Sequence, residues 1–151
     1  MIKKLNLQNT ETSKAILELQ LASYQVEADL IGFQEIPPLK DTLETLTQCD
    51  EVFYGYYCDN VLAGIISYQI EGEILDIHRV AIHPAYFRRG IANQLLHFIE
   101  KIDITINKII VATGKENYPA VHLYLKNGYK RTREIEIRKG IFLLEFKKVT
   151  S

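Results

Sequence analysis

The chain has 151 residues, enough to bury one core, and its 47% apolar and 25% charged residues are ordinary for a globular fold. A formal net charge of -1 excludes a global field that would draw nucleic acid or an anionic membrane, so any anion site must be local. No apolar run approaches a membrane span, residues 1–4 lack the apolar stretch of a signal peptide, and Cys49 and Cys58 show neither metal-ligand nor disulfide-framework spacing. The expectation is one cytoplasmic domain over residues 1–151, with two reduced thiols and no bound metal.

Residues 2–7 read as a short strand. Asn9, Thr10 and Thr12 are candidate helix caps, and residues 13–24 carry Ile16, Leu17, Gln20, Leu21 and Tyr24 on one broad face, which predicts a first helix. Residues 25–39 hold Gly32, Pro37 and Pro38, which break a long helix, and are expected as a connection. Glu27, Asp29 and Glu35 lie there among Leu30, Ile31, Phe33 and Ile36. Apolar side chains there pack on the core, and the carboxylates are placed to attract a cation; the two readings are compatible. Residues 40–48 predict a second helix with Leu43 and Leu46 inward. Three strands follow, Val52–Cys58, Val61–Glu71 and 73–82, joined by turns at Asp59-Asn60 and Gly72 into a meander.

The stretch from Asp76 to Ala92 is the most informative. Apolar alternation to Ile82 ends in a turn with Pro84, Arg88, Arg89, Gly90 and Ala92, and helical spacing of Ile91, Leu95, Phe98, Ile99 and Ile102 predicts a helix over 90–104. A strand feeding such a turn leaves unpaired amides at the helix start, where the macrodipole favours a phosphate ester. A short buried strand at 108–112, a helix over 119–126 opened by Pro119 and stopped by Asn127-Gly128, and a hairpin of 129–138 with 141–148 complete the order βααβββαβαββ.

Arg88-Arg89-Gly90-Ile91-Ala92 resembles the pyrophosphate-binding turn Gln/Arg-x-x-Gly-x-Gly/Ala of the GNAT superfamily of acyl-CoA-dependent N-acyltransferases, with Phe87 standing at the Gln/Arg position. A second segment, Asn117 to Tyr129, resembles that superfamily's Asn-x-x-Ala-x-x-Leu-Tyr-x-Lys-x-Gly-Phe/Tyr. Two matches in order are more specific than either alone. The resemblance implies an α/β fold of mixed α+β character, a mostly antiparallel sheet of about seven strands flanked by about four helices.

It also implies an activity: transfer of an acetyl group from acetyl-CoA, as co-substrate, to a primary amine in a ternary complex. Val80, Ala81 and Ile82 would hold the pantetheine arm, Arg88, Arg89, Gly90, Ile91 and Ala92 the pyrophosphate, and Asn117 the cofactor from the other side. The Val80 amide would stabilise the oxyanion, and Tyr124 would protonate the thiolate. Strand alternation places Asp76 and His78 on one face with Val80 and Ile82; either can serve as the base, and an imidazole titrates near neutrality unaided. Tyr24, Glu27 and Glu35 are candidate acceptor-binding residues. The remaining histidines, His83, His97 and His122, have no metal-like spacing. The expected partner is a small-molecule amine, with no nucleic acid and no membrane, and the family adds the option of a homodimer through the final hairpin. Two other classes fit the same residues: a coenzyme A-binding sensor without turnover, and a generic nucleotide-phosphate site.

Overall fold

β-formers between tight turns give the strands of one sheet. The computed structural model describes residues 1–150. Its strands are β1 (Ile2–Lys4), β2 (Val52–Cys58), β3 (Val61–Glu71), β4 (Ile74–Ile82), β5 (Lys108–Gly114), β6 (Lys130–Arg138) and β7 (Ile141–Val149). They form a seven-stranded sheet in the order β1-β2-β3-β4-β5-β7-β6. Every neighbouring pair is antiparallel except β4 and β5. Asp59 and Asn60, at φ 48 and 68, form the two-residue turn between β2 and β3, the geometry that matches strand twist.

Helices α1 (Thr10–Ile31) and α2 (Leu43–Gln48) cover one face of the sheet, and α3 (Ile91–Ile99) and α4 (Tyr118–Lys126) the other. Each face buries its own cluster. Ile16, Leu19, Ile31, Leu46, Phe53 and Ile65 pack beneath α1 and α2. Ile66, Leu75, Leu95, Ile99, Ile109 and Phe146 pack beneath α3 and α4.

The mixed sheet and the element order agree with the sequence reading, but several boundaries do not. The first helix starts at the expected Asn9 cap, whose side chain accepts from Thr12 N, and runs to Ile31 instead of ending at Tyr24. Ala28 and Ile31 extend its buried face, and only Gly32, left-handed at φ 70, stops it. Glu27 and Asp29 therefore sit on a helix, not in a connection. The predicted second helix, 40–48, is shortened at its start to α2, capped reciprocally by Thr42 and Thr45, and the end of the predicted connection forms a 3-10 turn, Pro37–Lys40. The predicted first strand is cut to Ile2–Lys4. Helix α3 stops at Ile99, short of the predicted 104; in the turn beyond it Asp103 accepts from Thr105 N and Oγ1, and Ile104 is 98% exposed.

Two irregularities of the sheet create and orient the site. Strands β4 and β5 pair only at Ile74, Leu75 and Asp76, and beyond Asp76 they diverge. In β4, Arg79 pairs with Ser67 and Ile77 with Tyr68, so His78 is an extra, unpaired residue. This bulge overturns the expected alternation. It flips the parity of the strand, so that Leu75 and Ile77 share a cluster with Val80 and Ile82, while Arg79 and Ala81 face α1. Asp76 and His78 are thus on the side opposite Val80 and Ile82, with one another and with Glu51.

Candidate active site

The divergence of β4 from β5 opens a cavity of about 1160 Å³ between the two strands. At one end it meets the turn that leads into α3. There Arg88 has φ 65 and Gly90 φ 76, both left-handed, and Gly90 is the helix N-cap without any side-chain cap. A left-handed non-glycine residue costs energy and persists where the surroundings impose it. The first intrahelical bond runs from Gln94 N to Gly90 O at 3.0 Å, which leaves the amides of Ile91, Ala92 and Asn93 as the orphan donors of the helix start. A Cβ built on Gly90 would meet no protein atom within 4 Å, so the space above it is open. Arg88 lines the cavity; Arg89 does not, and its guanidinium lies 5.1 Å from the Tyr86 ring centroid.

Along the middle of the cavity runs the edge of β4. The amides of Val80 and Ile82 are not free. Val80 N donates to Tyr24 Oη and Ile82 N to Ser23 Oγ, both at 3.2 Å. Ala81, 1% exposed, faces the other cluster and does not line the cavity. Tyr124 enters from α4, its ring packed against Tyr129 and Phe146. Among the described residues no buried side-chain polar atom lacks a partner, and the Tyr124 hydroxyl has none, so its oxygen opens on the cavity. Burial first, and then the charge of Glu27, push its pKa up and keep the phenol protonated.

The far end is walled by α1, the 3-10 turn and β4. Asn117 caps α4 and also donates through Nδ2 to Glu27 Oε1 at 2.6 Å and to Thr113 Oγ1 at 3.3 Å. Burial raises the pKa of Glu27 against the hydrogen bonding of Asn117 and Thr113 to its carboxylate. Glu35, at the rim, is tied to Arg138 at 2.6 Å. His78 lines this end, with Nδ1 3.6 Å from Glu51 Oε2 and Nε2 3.4 Å from Asp76 Oδ2; its side chain is 32% exposed. Asp76 stands behind it and off the cavity wall, its pKa raised by burial against the pull of His78.

Behind His78 lies a network that motif reading missed. Arg79 is buried, and its Nε and Nη2 donate to the two oxygens of Glu51 at 3.0 and 3.2 Å. Its Nη1 donates to Gln20 Oε1 and Asp41 Oδ2, each at 2.8 Å. Ser67 donates to Glu51 Oε1 at 2.6 Å. Burial alone would lower the Arg79 pKa, but Glu51 and then Asp41 outweigh it and the net direction is up. The signal available was Arg79 itself, a charge inside an apolar strand, which demands a partner.

The sheet splits between two parallel central strands, with an uncapped helix start suited to an anion at one end of the gap and a carboxylate-bearing wall at the other. The chain belongs to the acetyltransferase (GNAT) family, whose sequence model matches residues 14–129. It is also similar to the UPF0157 protein YqkA of Bacillus subtilis (strain 168), with 34% identity over 146 residues, 97% of this chain and 43% of that protein. The chain thus spans less than half the length of this curated relative. Among solved structures it is similar in fold to the PaiA N-acetyltransferase of Thermoplasma acidophilum in complex with coenzyme A, with TM-score 0.74, 20% identity and 98% of each chain covered. The ribosomal-protein-S18-alanine N-acetyltransferase of Escherichia coli gives TM-score 0.76 at 15% identity, covering 100% of this chain and 94% of that one.

Proposed function

We propose that the protein is an N-acetyltransferase that moves an acetyl group from acetyl-CoA directly to a primary amine of a small molecule, both bound in the one cavity. The observation that carries this reading is the continuity of that cavity from the free amides at Ile91 and Ala92, past Val80 and Tyr124, to His78 and Glu27. The residues fit the donor: open space over a left-handed Gly90, orphan amides and Arg88 suit a diphosphate. The donor brings an activated acyl carbon, and the protein supplies the rest.

The amine must lose protons as it forms the N–C bond, and the sulfur must gain one as the C–S bond breaks. Tyr124, protonated and open to the cavity, is the donor to sulfur. The Val80 amide stabilises the oxyanion once Tyr24 Oη gives it up. His78, with Asp76 behind it, is the proton acceptor that β4 supplies. Neither cysteine lines the cavity, which favours direct transfer over an acyl-enzyme. Two free thiols accord with a cytosolic setting.

Thiol release measured over a panel of primary amines with acetyl-CoA tests the reading. Amine-dependent release that falls about 10²-fold in Tyr124→Phe is the expected result, within the range general acid catalysis contributes. Coenzyme A binding without turnover across the panel would point instead to a sensor of the same fold. No coenzyme A binding by calorimetry would remove the reading altogether.

A further inference from the structure

Four carboxylates line the acceptor half of the cavity: Glu27, Glu35, Asp41 and Glu51. Three of them already have a cation. Asp41 and Glu51 share the buried Arg79, and Glu35 holds Arg138. Of the four, only Glu27 has no cationic partner among the described residues; its hydrogen-bond donors are the neutral Asn117 and Thr113. A carboxylate paired with an arginine is a weak base, because its charge is already balanced. One held by neutral donors in a low-dielectric wall is the better proton acceptor and the stronger attractor of an ammonium.

The position suits that chemistry. Glu27 lies one helical turn after Tyr24, whose hydroxyl bonds the Val80 amide, and its charge also reaches Tyr124. The groups that face it are Tyr24 on its own helix, Thr113 on β5, and Asn117 and Tyr124 on or beside α4, none of them cationic. The same half of the cavity also carries the apolar side chains of Leu30, Phe33, Ile36 and Pro37.

Resting on the acetyltransferase reading, we propose that Glu27 is a catalytic residue: it seats the ammonium of an acceptor with an apolar arm and takes that ammonium's proton before attack. The protons then balance. The ammonium gives one to Glu27, and the free amine forms the N–C bond. The C–S electron pair leaves with sulfur, which takes the Tyr124 proton. The nitrogen gives its second proton to His78, which releases it to solvent, while the carboxyl of Glu27 restores Tyr124. One N–H remains in the amide, and one proton leaves overall.

The probe is n-hexylamine with acetyl-CoA, and the readout is the pH profile of kcat/KM by thiol release, alongside coenzyme A affinity by calorimetry. In wild type the profile should fall on an acid limb set above the ordinary carboxylate range. Glu27→Gln should lower kcat/KM by about 10²-fold, the usual scale for a lost acid–base group, and abolish that limb. Glu27→Asp should keep the limb, and coenzyme A affinity should stay within about twofold in both. A Glu27→Gln enzyme that keeps the limb, or loses less than about threefold, overturns the proposal.

A second measurement works without turnover, so that failure of the acetyltransferase reading is told apart from failure of this one. With isotope-labelled glutamate carboxyl groups followed by NMR, n-hexylamine should shift one resonance that is missing in Glu27→Gln. An unmoved resonance overturns the proposal even if another amine is acetylated.

Discussion

The two ends of the cavity are made of different parts of the polypeptide. The end at α3 is main chain: three orphan amides, two left-handed residues and an open space over a glycine, all within residues 88–93. The end at α1 is side chain: Glu27 bonded to Asn117, and Arg79 to Gln20, Asp41 and Glu51, partners separated by as much as 90 positions in the chain. Backbone recognition depends on a local conformation and tolerates change in most side chains. Side-chain recognition depends on the tertiary fold and on each charge having its partner.

That contrast sets the order of the expected effects. Arg79→Met, at the side-chain end, should be the most damaging. It strands Glu51 and Asp41, whose side chains are only 10% and 15% exposed, and loss of one partner in a buried ion pair costs about 3–5 kcal/mol. Urea denaturation reads this directly, and a loss below about 1 kcal/mol would mean that water already reaches the pair.

Gly90→Val is the counterpart at the main-chain end. A side chain forced into the left-handed region costs about 1–2 kcal/mol, so coenzyme A affinity should drop about tenfold or more by calorimetry. Unchanged affinity would show that the helix start is not the anion site.

Arg138→Ala tests the rim, where both partners of the Glu35 pair are more than half exposed and Arg138 lies 5.5 Å from the Phe33 ring centroid. The loss should be about 0.2–1 kcal/mol and should shrink with added salt. The last effect is a matter of sign. Burial raises the pKa of Glu27 in the folded state, so its contribution favours the fold below the unfolded pKa and is lost as pH rises through the folded one. Glu27→Gln does not titrate there and should gain stability relative to wild type as pH rises. Parallel thermal melts of the two proteins across acidic and neutral pH decide it.

The same contrast explains what could be read from sequence. The turn at Arg88–Ala92 was legible because a strand, two arginines, a glycine and a helix lie within one short window. The element order and the start of α4 near Pro119 were legible for the same reason, whereas the cap at Asn117 emerged only in the fold. The bulge at His78 was not, since an extra residue in β4 is defined only by pairing with β3, and with it went the true facing of Asp76 and His78. The extension of α1 to Ile31 was masked by Pro37 and Pro38, which in the fold belong to a separate 3-10 turn. The acidic residues drew attention as a group, but which of them lacks a cation depends on where Arg79 and Arg138 lie in space.

Ser23 and Tyr24 stand on consecutive positions of α1 and borrow the two amides that an incoming peptide-like arm would claim. Whatever claims them must first pry both hydroxyls from the strand, and Glu27 rides on the same rod one turn further on. A ligand that displaced Tyr24 from the strand would therefore act on the same helix that carries Glu27, which links the two chambers mechanically.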